Sequence, residues 1–565
     1  NDNILREVGS MQKRLICAAM VLAAMLAMFS TAAVACTSVV LPPGSTVEGF
    51  SSVTHTCDSG SSPYEFFKVP AKNWPQGSMV DVLNIPQMTS GNQLKVVAGN
   101  PTGNKIPQVP HTYGYLTSAI FGYMNDMQVG IGETTIGGRR ELANTNGYFD
   151  ITNLSMLAME RGATAREAIL VMGTLAEKYG YSDGGEELSV ADPYEAWIFE
   201  IIGPGPLWQV GDKEPGAFWV AQRVPDGHVA ASANHPVIDV INFNDPENFL
   251  FSPGIKEYAI AQGWWKADSK EPLSWRENFL AYSSPETCGR RIWRVMTLCN
   301  PDLVGKIDEK DLPFSVPVKN KLTLADIMRI KADHYEGTEF DLTKGLTAGP
   351  WSDPRRYRPN GFSYLGKSYG WQRGISQVQC EYVTITQSRR WLPDEVGGVV
   401  WYGPANPDLT CYVPLYAGVD TVSPILNEKA GSHQVFTRES FRWAVSAVST
   451  FADYWWSYIS VDVKKEIEKT TGKWMKEQSA IDAMAVELFK KDPKAARAFL
   501  TDYCIKNVET ARDAWWALFD ELLRKYDMMQ IYEADTFKRV RPAMPEDYVR
   551  IIGPADKPGS PGEFY

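Results

Sequence analysis

The chain has 565 residues, of which 44% are hydrophobic and 22% charged, a composition typical of globular proteins. Its net charge of −11 and isoelectric point near 5.3, with no basic stripe, argue against nucleic-acid binding. Beyond residue 35 no apolar run is long enough to span a bilayer, so we expect no transmembrane segment in the mature chain.

The first recognisable element is a predicted secretion signal over residues 11–35. A positively charged start and an apolar run end at Ala33–Ala35, an A-x-A cleavage site. Residues 1–10 precede the first methionine and are left out of the fold. Two other interpretations stay open. Cys36 could be acylated and anchor a lipoprotein, although a lipobox has a Leu-like residue where Ala33 stands, or the cut could fall elsewhere.

Cleavage after Ala35 would leave Cys36 as the first residue, carrying a thiol and a free α-amine. Such an amine titrates near about 7.7–8.0, so part of it is neutral at physiological pH and can accept the thiol proton. One residue would then supply both a nucleophile and its base. This junction favours covalent hydrolytic chemistry at Cys36.

After Cys36 the sequence predicts mainly strands and then a helical C-terminal third. Short apolar or β-branched runs indicate the strands, and apolar residues at helical spacing indicate the helices. A Thr164-x-x-Glu167 capping box marks the start of the first helix. The predicted strands are 37–40, 50–55, part of 122–135, 196–202, 217–224, 228–232, 374–391 and 398–402; the predicted helices are 164–179, 322–331, 441–459, 461–476 and 480–526, with a break at Pro493.

These elements divide the mature chain into three predicted parts. Residues 36–430 form a catalytic domain, and residues 431–535 form a helical region packed on it or appended to it. Residues 536–565 form a tail rich in Pro and Gly, which is expected to follow the surface.

Seven cysteines follow the signal, an odd number that suits one reactive thiol and up to three disulfides in an oxidising compartment. The sequence-local pairings are Cys288 with Cys299 and Cys380 with Cys411. The alternative is that all six remain reduced.

The sequence gives little support for other catalytic motifs. The chain has no H-E-x-x-H and no C-x-x-C, and its six histidines are scattered, so no metal site is expected. Gly180-x-Ser182-x-Gly184 matches the residue pattern of a serine-hydrolase nucleophile elbow. That elbow needs a preceding strand, whereas a helix is predicted before it, so we expect a polar loop.

A series of segments points to one family through its order along the chain. The segments are Cys36-Thr37-Ser38, Asp58-Ser59, Asn125-Asp126 to Glu133-Thr134, 161–167, Ala191-Asp192-Pro193, 195–197, 220–226, Ser232-Ala233-Asn234, 334–338, Gly349-Pro350-Trp351 and Gln387-Ser388-Arg389. Together they resemble the N-terminal-nucleophile (Ntn) cysteine dipeptidases of the PepD type, relatives of penicillin V acylase and bile-salt hydrolase. The resemblance covers nearly all of 36–424.

The resemblance implies an α+β fold, an Ntn-hydrolase αββα four-layer sandwich, to which the helical C-terminal region is added. It also implies hydrolysis of a peptide or similar amide bond through a thioester on Cys36, with the α-amine of Cys36 moving the proton. No metal or organic cofactor is implied.

Two further catalytic residues follow from the resemblance. Asp58 matches the family Asp near the nucleophile, where a carboxylate can orient the ammonium; the alternative is a turn Asp before Ser59. Asn234 matches the family Asn that helps to bind the oxyanion, a contact typically worth ~2.7–4 kcal/mol. The alternative for Asn234 is a turn residue before Pro236.

Four residues are candidates for substrate binding or a secondary role. Glu133, Thr134 and Thr135 fall where the acylase relatives supply a second polar group, and Glu133 could also pair with the free amine of a dipeptide. Arg389 could correspond to a distant Arg of the superfamily site, or it could be a strand Arg at the surface.

His55 departs from the family pattern. Three residues before the Asp, the superfamily has Arg, which stays positive, whereas His is charged only below about pH 6.5. The difference predicts a shifted pH optimum, a changed substrate choice or lost activity. Cys57 beside it could be a redox partner of Cys36 or a buried structural thiol.

We therefore expect a secreted or periplasmic cysteine dipeptidase that acts on small peptides. An amidase for N-acyl amino acids, bile-salt conjugates or penicillin-like amides is the alternative within the superfamily. A catalytically silent, lipid-anchored surface binding protein is the alternative from another class. The sequence leaves a homo-oligomer open.

Overall fold

The computed structural model describes residues 36–552 except 61–64, 86–98, 119–120, 282, 356–361, 370–371, 428–434, 534–535 and 537. The predicted signal, the ten residues before it and the end of the predicted tail lie outside the described residues. Within the described part, no helix combines the length and the apolar character needed to cross a membrane.

The strands are numbered in chain order. They are β1 (Ser38–Leu41), β2 (Ser52–Thr56), β3 (Phe66–Val69), β4 (Lys72–Asn73), β5 (Met79–Asn84), β6 (Asn100–Pro107), β7 (His111–Thr112), β8 (Tyr115–Ser118), β9 (Tyr123–Asn125), β10 (Gly130–Gly138), β11 (Gly185–Ala191), β12 (Ala196–Ile202), β13 (Phe218–Arg223), β14 (His228–Ser232), β15 (Phe249–Phe251), β16 (Leu280–Ala281), β17 (Val316–Pro317), β18 (Phe362–Tyr364), β19 (Lys367–Tyr369), β20 (Tyr382–Gln387), β21 (Val399–Pro404), β22 (Val413–Tyr416), β23 (Ile531–Glu533) and β24 (Lys538–Val540).

The α-helices are numbered in the same way. They are α1 (Ile151–Arg161), α2 (Ala165–Tyr179), α3 (Ile255–Ala261), α4 (Trp275–Phe279), α5 (Arg290–Cys299), α6 (Leu324–Lys331), α7 (Asp394–Gly397), α8 (Phe441–Ala452), α9 (Trp456–Lys491), α10 (Pro493–Lys525) and α11 (Glu546–Ile552).

Two antiparallel sheets form the centre of an α+β fold. Sheet A has the order β17-β14-β1-β2-β20-β21-β22, and sheet B has the order β15-β13-β12-β11-β10-β9-β8-β3, with β16 paired to β10. Strands β1 and β2 of sheet A contact β10 and β11 of sheet B. The nucleophile candidate therefore lies where the two sheets meet.

Several central strands are buried along their whole length, among them β1, β2, β11, β12, β20, β21 and β22. A strand buried in this way needs cover on both faces. Helix α2 contacts β11, β12 and β13 of sheet B, while α5, α8 and α10 contact β14, β21 and β22 of sheet A. The helices therefore complete the core that the two sheets begin.

Most predicted elements are found close to their expected positions. Strands β12 and β14 have the predicted bounds, and α2 begins after the N-cap Thr164, whose side chain accepts from the Glu167 N–H. The Glu167 carboxylate accepts from Ala163 N rather than from Thr164 N, so the predicted capping box is only half formed. The break at Pro493 is confirmed, because Asp492 caps α10 and Pro occupies its first turn.

Three predictions need correction. The helices expected over 441–459, 461–476 and 480–526 have other bounds: the first ends at Ala452, and α9 runs without a break from Trp456 to Lys491. The strand expected over 374–391 is shorter, Tyr382–Gln387, because residues before it form turns that bring Gln377 towards Asp58. The seven cysteines of the described chain are all buried thiols rather than disulfides. The sequence-local disulfide pairings are therefore wrong, and the reduced alternative holds.

Candidate active site

Cys36 lies two residues before the start of β1, in the middle of sheet A, and is fully buried. The register pairs Ser38 with Ser232, which places Cys36 beside the residues that follow β14. The backbone nitrogen of Cys36 donates to Asn234 Oδ1 at 3.1 Å. With Ala35 attached this nitrogen is a peptide N–H, and after cleavage the same atom would be the α-amine.

Asn234 joins the two sheets at this point. Its backbone has a φ of +61°, a left-handed conformation that Asn adopts more readily than most residues. Its Oδ1 faces the Cys36 nitrogen, and its Nδ2 donates to the Thr135 carbonyl of sheet B at 2.8 Å. The structure thus brings Asn234 and Cys36 together, while the oxyanion role of Asn234 stays a prediction.

Arg291 on α5 donates hydrogen bonds to both Cys36 and Asn234. Its Nη1 donates to the Cys36 carbonyl at 2.6 Å and to Thr37 Oγ1 at 2.8 Å. Its Nη2 donates to the Ala233 carbonyl and to Asn234 Oδ1, both at 2.9 Å. Since the guanidinium is fully buried and planar, these four bonds fix Cys36 relative to Asn234.

Lys331, at the end of α6, brings a second buried cation to the site. Its Nζ donates to the Thr37 carbonyl. Burial lowers the pKa of Lys331 to about 8, an effect that the nearby carboxylate of Asp58 opposes. The ammonium is therefore largely charged at neutral pH.

Asp58, two residues after the end of β2, is a buried carboxylate of the same site. Its Oδ2 accepts from Thr56 Oγ1 at 3.2 Å and from Gln377 Nε2 at 3.0 Å. Burial raises the pKa of Asp58 to about 6, although the positive charges of Lys331 and Arg291 act in the opposite direction. The carboxylate is thus mostly ionised at neutral pH, close to the two buried cations.

His55 and Glu133 complete a compact cluster with Cys36. One possible ligand atom from each residue, the Cys36 sulfur among them, lies within 4.8 Å of the other two. His55 Nδ1 lies 2.9 Å from the Glu133 carbonyl oxygen. The strands approach closely here because position 132 is Gly, where a Cβ would lie only 2.6 Å from the Thr54 carbonyl oxygen.

The surroundings of this cluster disfavour charge. Burial, followed by the negative charge of Glu133, raises the pKa of the Cys36 thiol well above its usual value. Burial lowers the pKa of His55 to about 3 and raises the pKa of Glu133. At neutral pH the thiol is protonated and His55 is neutral, so the thiol needs a base before it can attack.

The two threonines predicted beside Glu133 make different contacts. Thr135 lies at the site, where its Oγ1 donates to Glu133 Oε1 at 3.1 Å. Thr134 Oγ1 instead contacts the Ser232 hydroxyl.

Arg389 is placed away from this group of residues. Its guanidinium donates to the Val396 and Gly397 carbonyls and to Asp482 of α9 at 2.6–2.9 Å. The structure therefore does not support the expected site role of Arg389, which instead ties sheet A to a helix.

Arg291 and Lys331 are the site residues that sequence reasoning missed. Both carried a readable signal, because each interrupts an apolar helical stripe with a charge. Lys331 follows Ile327 and Met328 by four and three residues, and Arg291 precedes Val295 by four. A buried charge in such a stripe is rarely tolerated without partners, so it indicates a polar site beneath the helix.

Comparison with known proteins shows that the protein is a peptidase. The model of Peptidase family C69 matches residues 35–469, and the chain belongs to that family. This confirms the family predicted from the order of the sequence motifs. The match ends inside α9, beyond the predicted domain boundary at residue 430.

Curated relatives are similar over much of their length. A "Probable dipeptidase" of Latilactobacillus sakei is 24% identical over 483 residues, which is 83% of this chain and 90% of that protein. A "Probable dipeptidase A" of Streptococcus pyogenes serotype M3 is 23% identical over 355 residues, or 61% of this chain and 68% of that protein. A "Dipeptidase A" of Lactobacillus helveticus is 24% identical over 266 residues, covering 46% and 48%.

Proposed function

We propose that the protein is a secreted or periplasmic dipeptidase that is activated by cleavage before Cys36 and hydrolyses dipeptides through a thioester on that residue. The family and the names of its relatives support dipeptide hydrolysis. The observation that carries the mechanism is the Cys36 nitrogen held on Asn234 Oδ1, at the start of a central strand. On this proposal the two sheets and their helices form the αββα sandwich of Ntn hydrolases.

The proposed chemistry begins with the α-amine of Cys36. In its neutral form this amine accepts the thiol proton, and the sulfur attacks the peptide carbonyl. The amine then returns the proton to the leaving amino group as the thioester forms. Water attacks the thioester, releases the carboxylic acid and regenerates the thiol.

The positive charge at the site comes from Arg291 and Lys331 rather than from residue 55. Neutral His55 cannot supply the charge that the superfamily Arg would give. Buried Arg291 and Lys331, which contact the backbone of Cys36 and Thr37, lie where they can stabilise a developing thiolate. The departure at His55 is therefore compatible with activity.

The first experiment compares two forms of the protein: one beginning at Cys36 and one retaining Ala35. Each is confirmed by intact mass and then assayed with dipeptides and with N-acetyl amino acids. We expect dipeptide hydrolysis only when the amine is free, because the retained Ala35 turns the base into an amide. Equal rates for both forms would overturn the proposed base.

The same panel separates the alternative functions. Faster hydrolysis of N-acetyl amino acids than of dipeptides would indicate the amidase. An acylated Cys36 in protein recovered from its native secretion route would remove the base and indicate the lipid-anchored binding protein.

A further inference from the structure

We propose that Cys36, His55 and Glu133 form a binding site for a zinc ion, and that zinc held there reversibly silences the nucleophile. Their three ligand atoms lie within 4.8 Å of one another, and all three residues are fully buried. Thiolate, imidazole and carboxylate are the three ligand types that zinc sites in proteins use. The cluster thus presents a complete set of zinc-binding groups.

Two atoms of this cluster lack hydrogen-bond partners among the described residues: His55 Nε2 and Glu133 Oε2. Buried polar atoms are nearly always hydrogen-bonded, so each exception needs an explanation. Both exceptions belong to side chains that have one ligand atom within 4.8 Å of the Cys36 sulfur. A cation held by His55 Nε2 would satisfy that lone pair, and it would join the Glu133 carboxyl, which also interacts with Glu186.

The surrounding hydrogen bonds also match those of a metal site. His55 Nδ1 lies 2.9 Å from the Glu133 carbonyl oxygen and 3.3 Å from the Glu133 backbone nitrogen. In the tautomer that makes the shorter contact Nδ1 is the donor, and the lone pair of neutral His55 is on Nε2. Thr135 Oγ1 donates to Glu133 Oε1 at 3.1 Å and so orients the carboxylate. Metal-binding histidines and carboxylates are characteristically oriented by such bonds.

The ligand set selects the ion. A sulfur and an imidazole favour zinc over magnesium or calcium, which prefer oxygen ligands throughout. After cleavage the α-amine nitrogen of Cys36, which belongs to the same residue as the sulfur, could supply the fourth ligand of a tetrahedral site. An Arg at position 55 could not ligate and would repel the cation, so this site depends on the His55 of this chain.

Zinc binding would release the thiol proton to the solvent and place the sulfur lone pair on the metal. The nucleophile would then be unavailable until a chelator removed the ion. Binding itself does not depend on the enzyme's activity, whereas the silencing rests on the proposed function.

Cobalt(II) provides a direct probe, because its bond to a thiolate gives a charge-transfer absorption that zinc abolishes on displacement. We expect the processed protein to bind one cobalt ion with this absorption and zinc to displace it. Cys36→Ser should abolish the band. His55→Arg and Glu133→Gln should each weaken zinc binding by more than the about 10–100-fold typical of losing an outer-shell partner.

Control variants are His111→Gln, an exposed histidine, and Cys411→Ser, a buried thiol against α9; both should bind zinc normally. Thermal unfolding identifies any variant that fails to fold, and the three ligand variants serve as independent tests. Absence of the thiolate band, or wild-type affinity in folded His55→Arg and Glu133→Gln, would overturn the site.

Dipeptide hydrolysis is measured separately on chelator-treated protein. Hydrolysis without a cobalt–thiolate band would overturn the zinc site alone. A band without hydrolysis would overturn the proposed function and leave the site standing.

Discussion

Two buried clusters of polar residues beside sheet A differ in how completely their hydrogen bonds are satisfied. Around Arg389, the guanidinium bonds two carbonyls and Asp482, whose other oxygen accepts from the Tyr416 hydroxyl at 2.7 Å. Around Cys36, by contrast, His55 Nε2, Glu133 Oε2 and Asp58 Oδ1 all lack hydrogen-bond partners within the described structure.

The comparison teaches how to tell a structural network from a reactive one. A structural network satisfies its charges and so rigidifies the fold. A reactive site keeps polar atoms ready for a partner that arrives later, and its burial shifts pKa values. The pKa shifts of Asp58, His55, Lys331 and the Cys36 thiol arise in the second cluster. Burial also raises the pKa of Tyr416 in the first cluster, so the unsatisfied atoms, rather than the pKa shifts, distinguish the two.

The largest expected effect comes from comparing the removal of the Cys36 thiol with the removal of a buried thiol outside the site. Cys36→Ala should lower kcat for dipeptides by roughly 10⁶-fold, the loss seen when a catalytic nucleophile is removed. Cys411→Ala, whose thiol lies against Thr470 and Thr471 of α9, should change stability but keep the rate within about threefold. Steady-state kinetics and urea unfolding of both variants test this, and similar rates in the two would remove Cys36 from the reaction.

The two buried arginines give the next contrast. Arg291→Met and Arg389→Met should each destabilise the fold by about 3 kcal/mol or more, because both leave buried partners unsatisfied. Only Arg291→Met should also reduce kcat, by about 10²-fold, since it releases Cys36 from Asn234. Kinetics at a temperature where both variants are folded provide the measurement, and a comparable loss of kcat in Arg389→Met would contradict the assignment.

A smaller effect concerns pH. Because the pKa of Asp58 is raised to about 6 in the folded state, the folded protein binds this proton more tightly than the unfolded chain. The stability this provides is present at low pH and is lost as pH rises through 6. Relative to wild type, Asp58→Asn should therefore gain roughly 2–3 kcal/mol of unfolding free energy between pH 4 and pH 7.

Urea unfolding of wild type and Asp58→Asn at pH 4, 5, 6 and 7 measures this difference directly. The comparison with wild type cancels the groups common to both proteins. A difference independent of pH would show that the Asp58 carboxyl titrates normally.

The smallest expected effect is the loss of stability on replacing Glu200, a buried carboxylate whose partners follow Asn234 in the chain. Glu200 accepts from the Val237 and Ile238 N–H groups at 2.8 and 2.9 Å, and from Trp275 Nε1 at 2.8 Å, just beyond Asn234. Glu200→Gln would set the amide N–H of the new side chain against Trp275 Nε1–H and should lower the free energy of unfolding by about 1–3 kcal/mol. Adding Trp275→Phe should recover part of that loss, and additive losses in the double-mutant cycle would contradict this contact.

Part of this site could be predicted from local sequence. Cys36, Asp58 and Asn234 became candidates through the order of short motifs, and each stands beside a predicted strand. The pairing of β1 with β14, which brings Cys36 close to Asn234, is seen only in the structure. Alternation and strand length are local properties, so β12 and β14 were predicted with the observed bounds.

The rest depends on contacts between distant parts of the chain. Arg291 reaches Cys36 across 255 positions, and Lys331 reaches Thr37 across 294. Arg389 resembled a site residue by motif order, yet its environment is set by α9, which comes nearly a hundred residues later. Single-sequence patterns contain no information on which helix covers which strand.

The contacts of α8, α9 and α10 with sheet A have a practical consequence for anyone expressing this protein. Tyr416 in β22 bonds Asp482 through its hydroxyl, and its backbone N–H reaches the Cys504 sulfur at 3.4 Å. A recombinant fragment ending near residue 430 would expose parts of β21 and β22, both fully buried in the intact chain, to water and to other molecules. Such a fragment would aggregate, and the shortest useful expression boundary lies beyond Lys525.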